Sequence, residues 1–238
     1  MPIDPSIIKA LVFDVFGTVV DWRGSIARDL GAWGAARGIK LDWAAFADDW
    51  RAGYQPAMAP VRDGKAPFRS IDVLHRQILD RLLIQYRLTQ FDEAERDYVN
   101  RVWHRLDGWP DAVKGLTRLK QRFIIGTLSN GNVSLLVNMA KHAGLPWDVV
   151  LSAELAGNYK PDPSVYRLAP DLLDVEPSAV IMVAAHEGDL VAAAKSGLHT
   201  AYVARPLEFG AGSKPHDEPA GVDLVVHDFN ELADRLGC

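Results

Sequence analysis

Of the 238 residues only one is a cysteine, Cys238 at the end of the chain. A lone thiol cannot close an internal disulfide or build a Cys-based metal site, so a reducing, cytoplasmic setting is the expectation. Long hydrophobic runs are missing as well. No stretch approaches the roughly 18 apolar residues that a membrane-spanning helix needs. The opening MPIDPSIIKA has no basic segment leading into an apolar one, so no secretory signal is read there. Positive charge is not in excess: 26 Lys and Arg face 31 Asp and Glu, a formal net charge of −5. That balance gives no electrostatic reason to expect nucleic acid or an anionic membrane as partner, though a locally basic pocket for a small anion stays compatible with it. Internal repeats and low-complexity tracts are also absent.

What is present suits a globular protein: 48% hydrophobic and 24% charged residues, in a chain long enough for one large α/β domain or a core with an insert. The first strong element, IKALVFDVFG, is a buried apolar run that ends abruptly at Asp14, as a parallel strand does at its carboxyl end. Between Trp22 and Asn100 the spacing turns helical, in SIARDLGAWGAARG, DWAAFADDWRAGYQPAM and SIDVLHRQILDRLL, with Gly and Pro as punctuation. After Trp109 strands and helices alternate. FIIGTLSNG, WDVVLSAELAG, AVIMVAA, HTAYVAR and VDLVVHD read as strands, separated by helices of about 10–15 residues. The pattern predicts a doubly wound, Rossmann-like parallel sheet as the α/β core (residues 1–21 and 101–238), with an inserted all-helical cap (residues 22–100).

Ligands collect at the carboxyl ends of such strands. Three of those ends carry polar groups: Asp14, then Ser129 with Asn130, then His186 with Asp189. A basic segment, YKPDPSVY, lies between the last two, so Lys160 is expected to share their pocket.

These motifs resemble the haloacid dehalogenase superfamily over essentially the whole chain. FDVFGTVVDW is similar to its first motif, with Asp14 as nucleophile and Thr18 four residues on; LSNG is similar to the second and YKPDPSVY to the third. Most members of that superfamily are Mg-dependent phosphatases, which carry a second Asp two residues after the nucleophile and acidic metal ligands after the fourth-motif strand. Here those positions hold Phe16 and Ala184-Ala185, a poor donor set for Mg²⁺. The branch that needs no metal or cofactor, the L-2-haloacid dehalogenases, resembles this chain better. A phosphatase or phosphonatase with an atypical site is the alternative, and a silent carboxylate-binding member a third reading.

The resemblance implies a short 2-haloalkanoate as substrate, inversion at C2 on the L isomer, and pairing of copies through the cap. It gives Asp14 the attack on carbon, Lys160 the task of keeping Asp14 ionised, and Arg51 of DDWRAGYQPAM the departing halide. Thr18 and Ser129 are expected to hold a carboxylate, Asn130 to help at the substrate or halide, and Tyr166 to position Lys160 or Asp14. Phe16, Trp50 and Phe68 are expected to form the apolar wall. His186 and Asp189 depart most from the family pattern. His186 titrates near neutrality and is a candidate for activating the hydrolytic water, with Asp189 orienting it or acting itself; such a change is compatible with haloacetates, fluoroacetate included, as substrates. His75, His104, His142, His199, His216 and His227 lack partners at metal-ligand spacing and read as satisfied core or surface residues.

Overall fold

The computed structural model describes residues 3–212 and 218–238. Six strands form one sheet: β1 (Ala10–Phe13), β2 (Ile124–Ser129), β3 (Val149–Ser152), β4 (Val180–Ala184), β5 (His199–Val203) and β6 (Leu224–Val226). Their order is β3-β2-β1-β4-β5-β6 and every pairing is parallel. β1 (ALVF) and β4 (VIMVA) are buried at every position, because helices cover both faces and leave these central strands no wet side. The chain moves outward from β1 through β2 and β3, then returns to the other side of β1 for β4. That reversal opens a crevice above the carboxyl ends of β1 and β4, where Phe13 is in register with Val183.

The core helices are α6 (Ala112–Lys120), α7 (Val133–Ala143), α8 (Pro163–Leu173), α9 (Glu187–Lys195) and α10 (Phe229–Arg235), with α6 packed on α10 and α8 on α9. Contact between α6 and α10 is close enough that a Cβ at Gly115 would lie 2.7 Å from the backbone carbon of Phe229.

Residues 22–100 form five consecutive helices: α1 (Trp22–Ala35), α2 (Trp43–Ala52), α3 (Tyr54–Arg62), α4 (Ile71–Gln85) and α5 (Glu93–Asn100). The segment read as one helical stretch over residues 42–58 divides at Gly53, where α4 approaches so closely that a Cβ would sit 2.7 Å from Ile78 Cγ2. α5 starts from a capping box of Asp92 and Glu95, a signal legible in the sequence. A polar network joins this helical block to the sheet: Asn132 Nδ2 donates to Asp72 Oδ2 at 2.9 Å, and Asp72 Oδ1 lies 3.0 Å from His104 Nε2. Among the described residues no helix is long and apolar enough to cross a membrane.

Candidate active site

Asp14 is the first residue past β1, and its N–H donates to Val183 O of β4, which fixes it over the crevice. Its carboxylate is enclosed by donors. Thr18 Oγ1 donates to Oδ2 at 2.9 Å and itself accepts the Ala185 N–H at 3.0 Å, so the hydroxyl is locked in one direction. His186 Nδ1 lies 3.0 Å from the same oxygen, and Lys160 Nζ 3.5 Å from Oδ1. Burial alone would push the Asp14 carboxyl up. The Lys160 charge, the His186 bond and charge, and the Thr18 bond hold it well below the usual carboxylate range. The group is therefore largely buried and ionised, which is what a carboxylate nucleophile requires.

Lys160 also donates to Asp189 Oδ2 at 2.6 Å, and the Tyr166 hydroxyl donates to Asp189 Oδ1 at 2.6 Å. Burial and the neighbouring Asp14 charge push Asp189 upward against the pull of Lys160. Of the two roles expected for Tyr166, these contacts favour positioning Lys160, through Asp189; among the described residues its hydroxyl makes no direct bond to Asp14. Asn130 Oδ1 accepts the Lys160 backbone N–H at 2.8 Å, which ties the end of β2 to the third motif. Ser129 is fully buried, and its Oγ accepts the Gly131 N–H at 3.2 Å within the β2 turn; among the described residues it makes no bond to the Asp14 carboxylate.

His186 has a second partner that sequence reasoning missed. Its Nε2 is 3.0 Å from both carboxylate oxygens of Glu208. Glu208 is 1% exposed and also accepts from Trp22 Nε1 at 3.1 Å. Burial disfavours a charged imidazole, but the bonds and charges of Asp14 and Glu208 outweigh it and push His186 up to about 10. Glu208, not Asp189, orients His186, because Asp189 is committed to Lys160 and Tyr166. The loop bearing Glu208 is anchored through Arg205, whose Nε donates to Thr18 O and whose Nη1 pairs with Asp111 at 2.8 Å. Gly17 admits the carboxylate: at φ +85° any Cβ would be strained and would meet Glu208 Oε1 at 2.1 Å. The available signal was positional, since PLEFG follows β5 at the same rim of the sheet as the other site residues.

A cavity of about 340 Å³ lies over Asp14. Its floor includes Asp14, Phe16, Lys160 and His186, and its roof comes from the helical block with Arg51, Tyr54, Gln55 and Arg62. The Arg51 guanidinium stacks on the Tyr54 ring, with Cζ 4.5 Å from the centroid. Tyr54 was not anticipated, although it follows Arg51 at a spacing that puts both on one side. Trp50 and Phe68 are not among the lining residues, contrary to expectation. Consecutive helix positions point about 100° apart, so with Arg51 in the cavity Trp50 is turned into the core, where its Nε1 donates to His75 O at 3.0 Å. Phe68 rests on the ring of Tyr159, centroids 5.0 Å apart.

His75 departs from its expected satisfied state. It is buried, stacked on Trp103 at 4.2 Å, and neither ring nitrogen has a hydrogen-bond partner. Burial lowers its pKa to about 3, so the ring stays neutral. His216 lies outside the described residues. Among the described residues no group of three or more His, Cys, Asp and Glu is disposed to hold a metal ion.

The haloacid dehalogenase-like hydrolase family model matches residues 8–197. The chain is 31% identical over 222 residues to the (S)-2-haloacid dehalogenase 1 of Pseudomonas sp. (strain CBS-3), covering 88% of this chain and 91% of that one. Among solved structures, a defluorinating L-2-haloacid dehalogenase superposes with a TM-score of 0.92 at 44% identity, over 97% of this chain and 96% of that one. A second L-2-haloacid dehalogenase gives 0.91 at 44% identity, over 96% and 99%.

Proposed function

The chain belongs to the haloacid dehalogenase-like hydrolases, and we propose that it converts a short 2-haloalkanoate and water into a 2-hydroxyalkanoate and halide. It is an enzyme acting on a carbon–halide bond. The observation that carries the proposal is a largely buried, ionised Asp14 on the cavity floor beneath a cationic roof.

In this reading an Asp14 carboxylate oxygen attacks C2. The new C–O bond forms as the C–halogen pair leaves with the halide, giving an ester of Asp14. Oδ2 is held by Thr18 and His186, which leaves Oδ1, with Lys160 3.5 Å away, as the freer oxygen to attack. In-line displacement sends the halide away from the floor towards Arg51, whose charge meets an anion that develops only as the bond breaks.

Esterification removes the Asp14 charge, one of the two anions that hold the His186 proton. The Nδ1 proton then leaves to solvent, while Glu208 keeps the Nε2–H in place and so fixes the tautomer. Water attacks the Asp14 carbonyl carbon and gives its proton to Nδ1, and that proton passes to the departing alkoxide of the product. The regenerated Asp14 carboxyl returns its own proton to His186, restoring the resting pair. The sum is one halide and one proton released per turnover.

The superfamily's phosphatases work with Mg²⁺, and the residues here do not fit that ion. Lys160 Nζ already sits between Asp14 and Asp189, and Phe16, Ala184 and Ala185 offer no side-chain oxygen. The same reading takes haloacetates as substrates, places the enzyme in the cytoplasm, and pairs two copies through the helical block.

Halide release from a haloacid panel with EDTA present, with Asp14→Asn as control, tests the proposal. We expect release that EDTA does not alter and that the variant abolishes. Loss of activity with EDTA, or activity retained by the variant, overturns the mechanism.

A further inference from the structure

We propose that Tyr54 is a leaving-group donor that adapts this site to fluoride. The proposal rests on the dehalogenase reading and goes beyond it by assigning a residue and a halogen.

Displacement at C2 puts nucleophile and leaving group on opposite sides of the carbon. Asp14 attacks from the floor, so the halogen faces the roof, where Arg51, Tyr54, Gln55 and Arg62 line the cavity. Of these Tyr54 is buried, 4% exposed. Two donor-bearing side chains share the cavity with its hydroxyl. Asn130 uses its carbonyl oxygen on the Lys160 N–H, which leaves its amide N–H groups as donors, and the Arg51 guanidinium lies over the Tyr54 ring with Cζ 4.5 Å from the centroid. The phenol has its own proton to place. Among the described residues no hydrogen bond donated by Tyr54 is found, so the proton is free for a ligand in the cavity.

The Arg51 cation against its ring also polarises the O–H bond and makes it a better donor. A developing fluoride is the smallest and most localised halide anion and accepts hydrogen bonds most strongly. The C–F bond is also the hardest to break and gains most from a donor aimed at the leaving atom. Bromide and chloride spread their charge and depend more on the Arg51 cation. The predicted consequence is selectivity, not general rate.

The test measures kcat/KM for fluoroacetate, chloroacetate and bromoacetate in the wild type and in Tyr54→Phe, which removes one oxygen. We expect fluoride release to fall about ten- to a hundredfold, the loss of a hydrogen bond to an anion, while chloride and bromide release change by less than about threefold. Incorporating 3,5-difluorotyrosine at position 54 provides a second measurement that does not depend on the fold of the Phe variant. That phenol ionises at lower pH, and the fluoride-to-chloride ratio should fall as it ionises while the wild-type ratio stays flat. An equal fall for all three acids, or no change in the ratio in either protein, overturns the assignment and leaves the dehalogenase reading standing. Wild-type protein that releases no fluoride also overturns the assignment. Wild-type protein that releases no halide from any acid overturns both.

Discussion

Replacing Glu208 by Gln separates the two half-reactions. The change keeps the shape of a side chain that is 1% exposed and removes only its charge. Both Glu208 oxygens lie 3.0 Å from His186 Nε2, and the carboxylate is one of two anions that push the imidazole up to about 10. Without it the His186 pKa falls towards its ordinary value. A Gln that presents its NH₂ also forces the opposite tautomer, with the proton on Nδ1, so the nitrogen facing Asp14 cannot accept one from water. Loss of a positioned general base costs about 10²- to 10⁴-fold. Ester hydrolysis should slow by that factor, whereas ester formation, in which His186 takes no proton, should change by less than about tenfold. Rapid mixing with a haloacid would then give a burst of about one halide per active site followed by a slow phase. Intact-mass measurement during the slow phase would show the protein carrying the acid minus its halogen. Absence of both burst and adduct, with overall activity still reduced, would refute the assignment of His186 and Glu208 to the second step.

Three further outcomes follow from the same geometry. Gly17→Ala should reproduce the Glu208→Gln burst and also lower the melting temperature, because its Cβ would sit 2.1 Å from Glu208 Oε1 at φ +85°; unchanged steady-state rates would contradict this. Lys160→Met removes the cation shared by Asp14 and Asp189 and should slow ester formation about 10²- to 10³-fold with no burst, read by single-turnover halide release. Stability should depend on pH at both ends. His186 is raised from 6.5 to about 10, so its contribution is full below pH 6.5 and is lost as pH climbs through about 10. Asp14 and Glu208 are lowered from 3.8 and 4.5, so theirs is present above those values and is lost as pH falls. Calorimetry should therefore find the highest melting temperature between about pH 4.5 and 6.5, and His186→Gln should flatten the alkaline limb; an alkaline limb unchanged in the variant would show that other groups set it.

Much of this protein was determined by local pattern. The apolar run ending at Asp14, the later apolar runs closed by polar residues, and the helical spacing of residues 22–100 are each readable within a short window, because burial on both faces of a parallel sheet demands such runs. The motifs carrying Asp14, Asn130, Lys160 and Asp189 converge since the strand order places those ends at one rim. Partnerships were left to the tertiary structure. Nothing near Glu208 in the sequence indicates that it faces His186, 22 residues away, or Trp22, 186 away. Whether Trp50 or Arg51 enters the cavity is a matter of helix rotation, set by packing against α4 and Trp103. That Tyr54 is buried on the cavity roof against Arg51 appears only when the helical block is placed over the sheet. Which residues do chemistry was written in strand ends; which hydrogen bonds set their charge was decided by contacts that span the fold, where desolvation makes each one count.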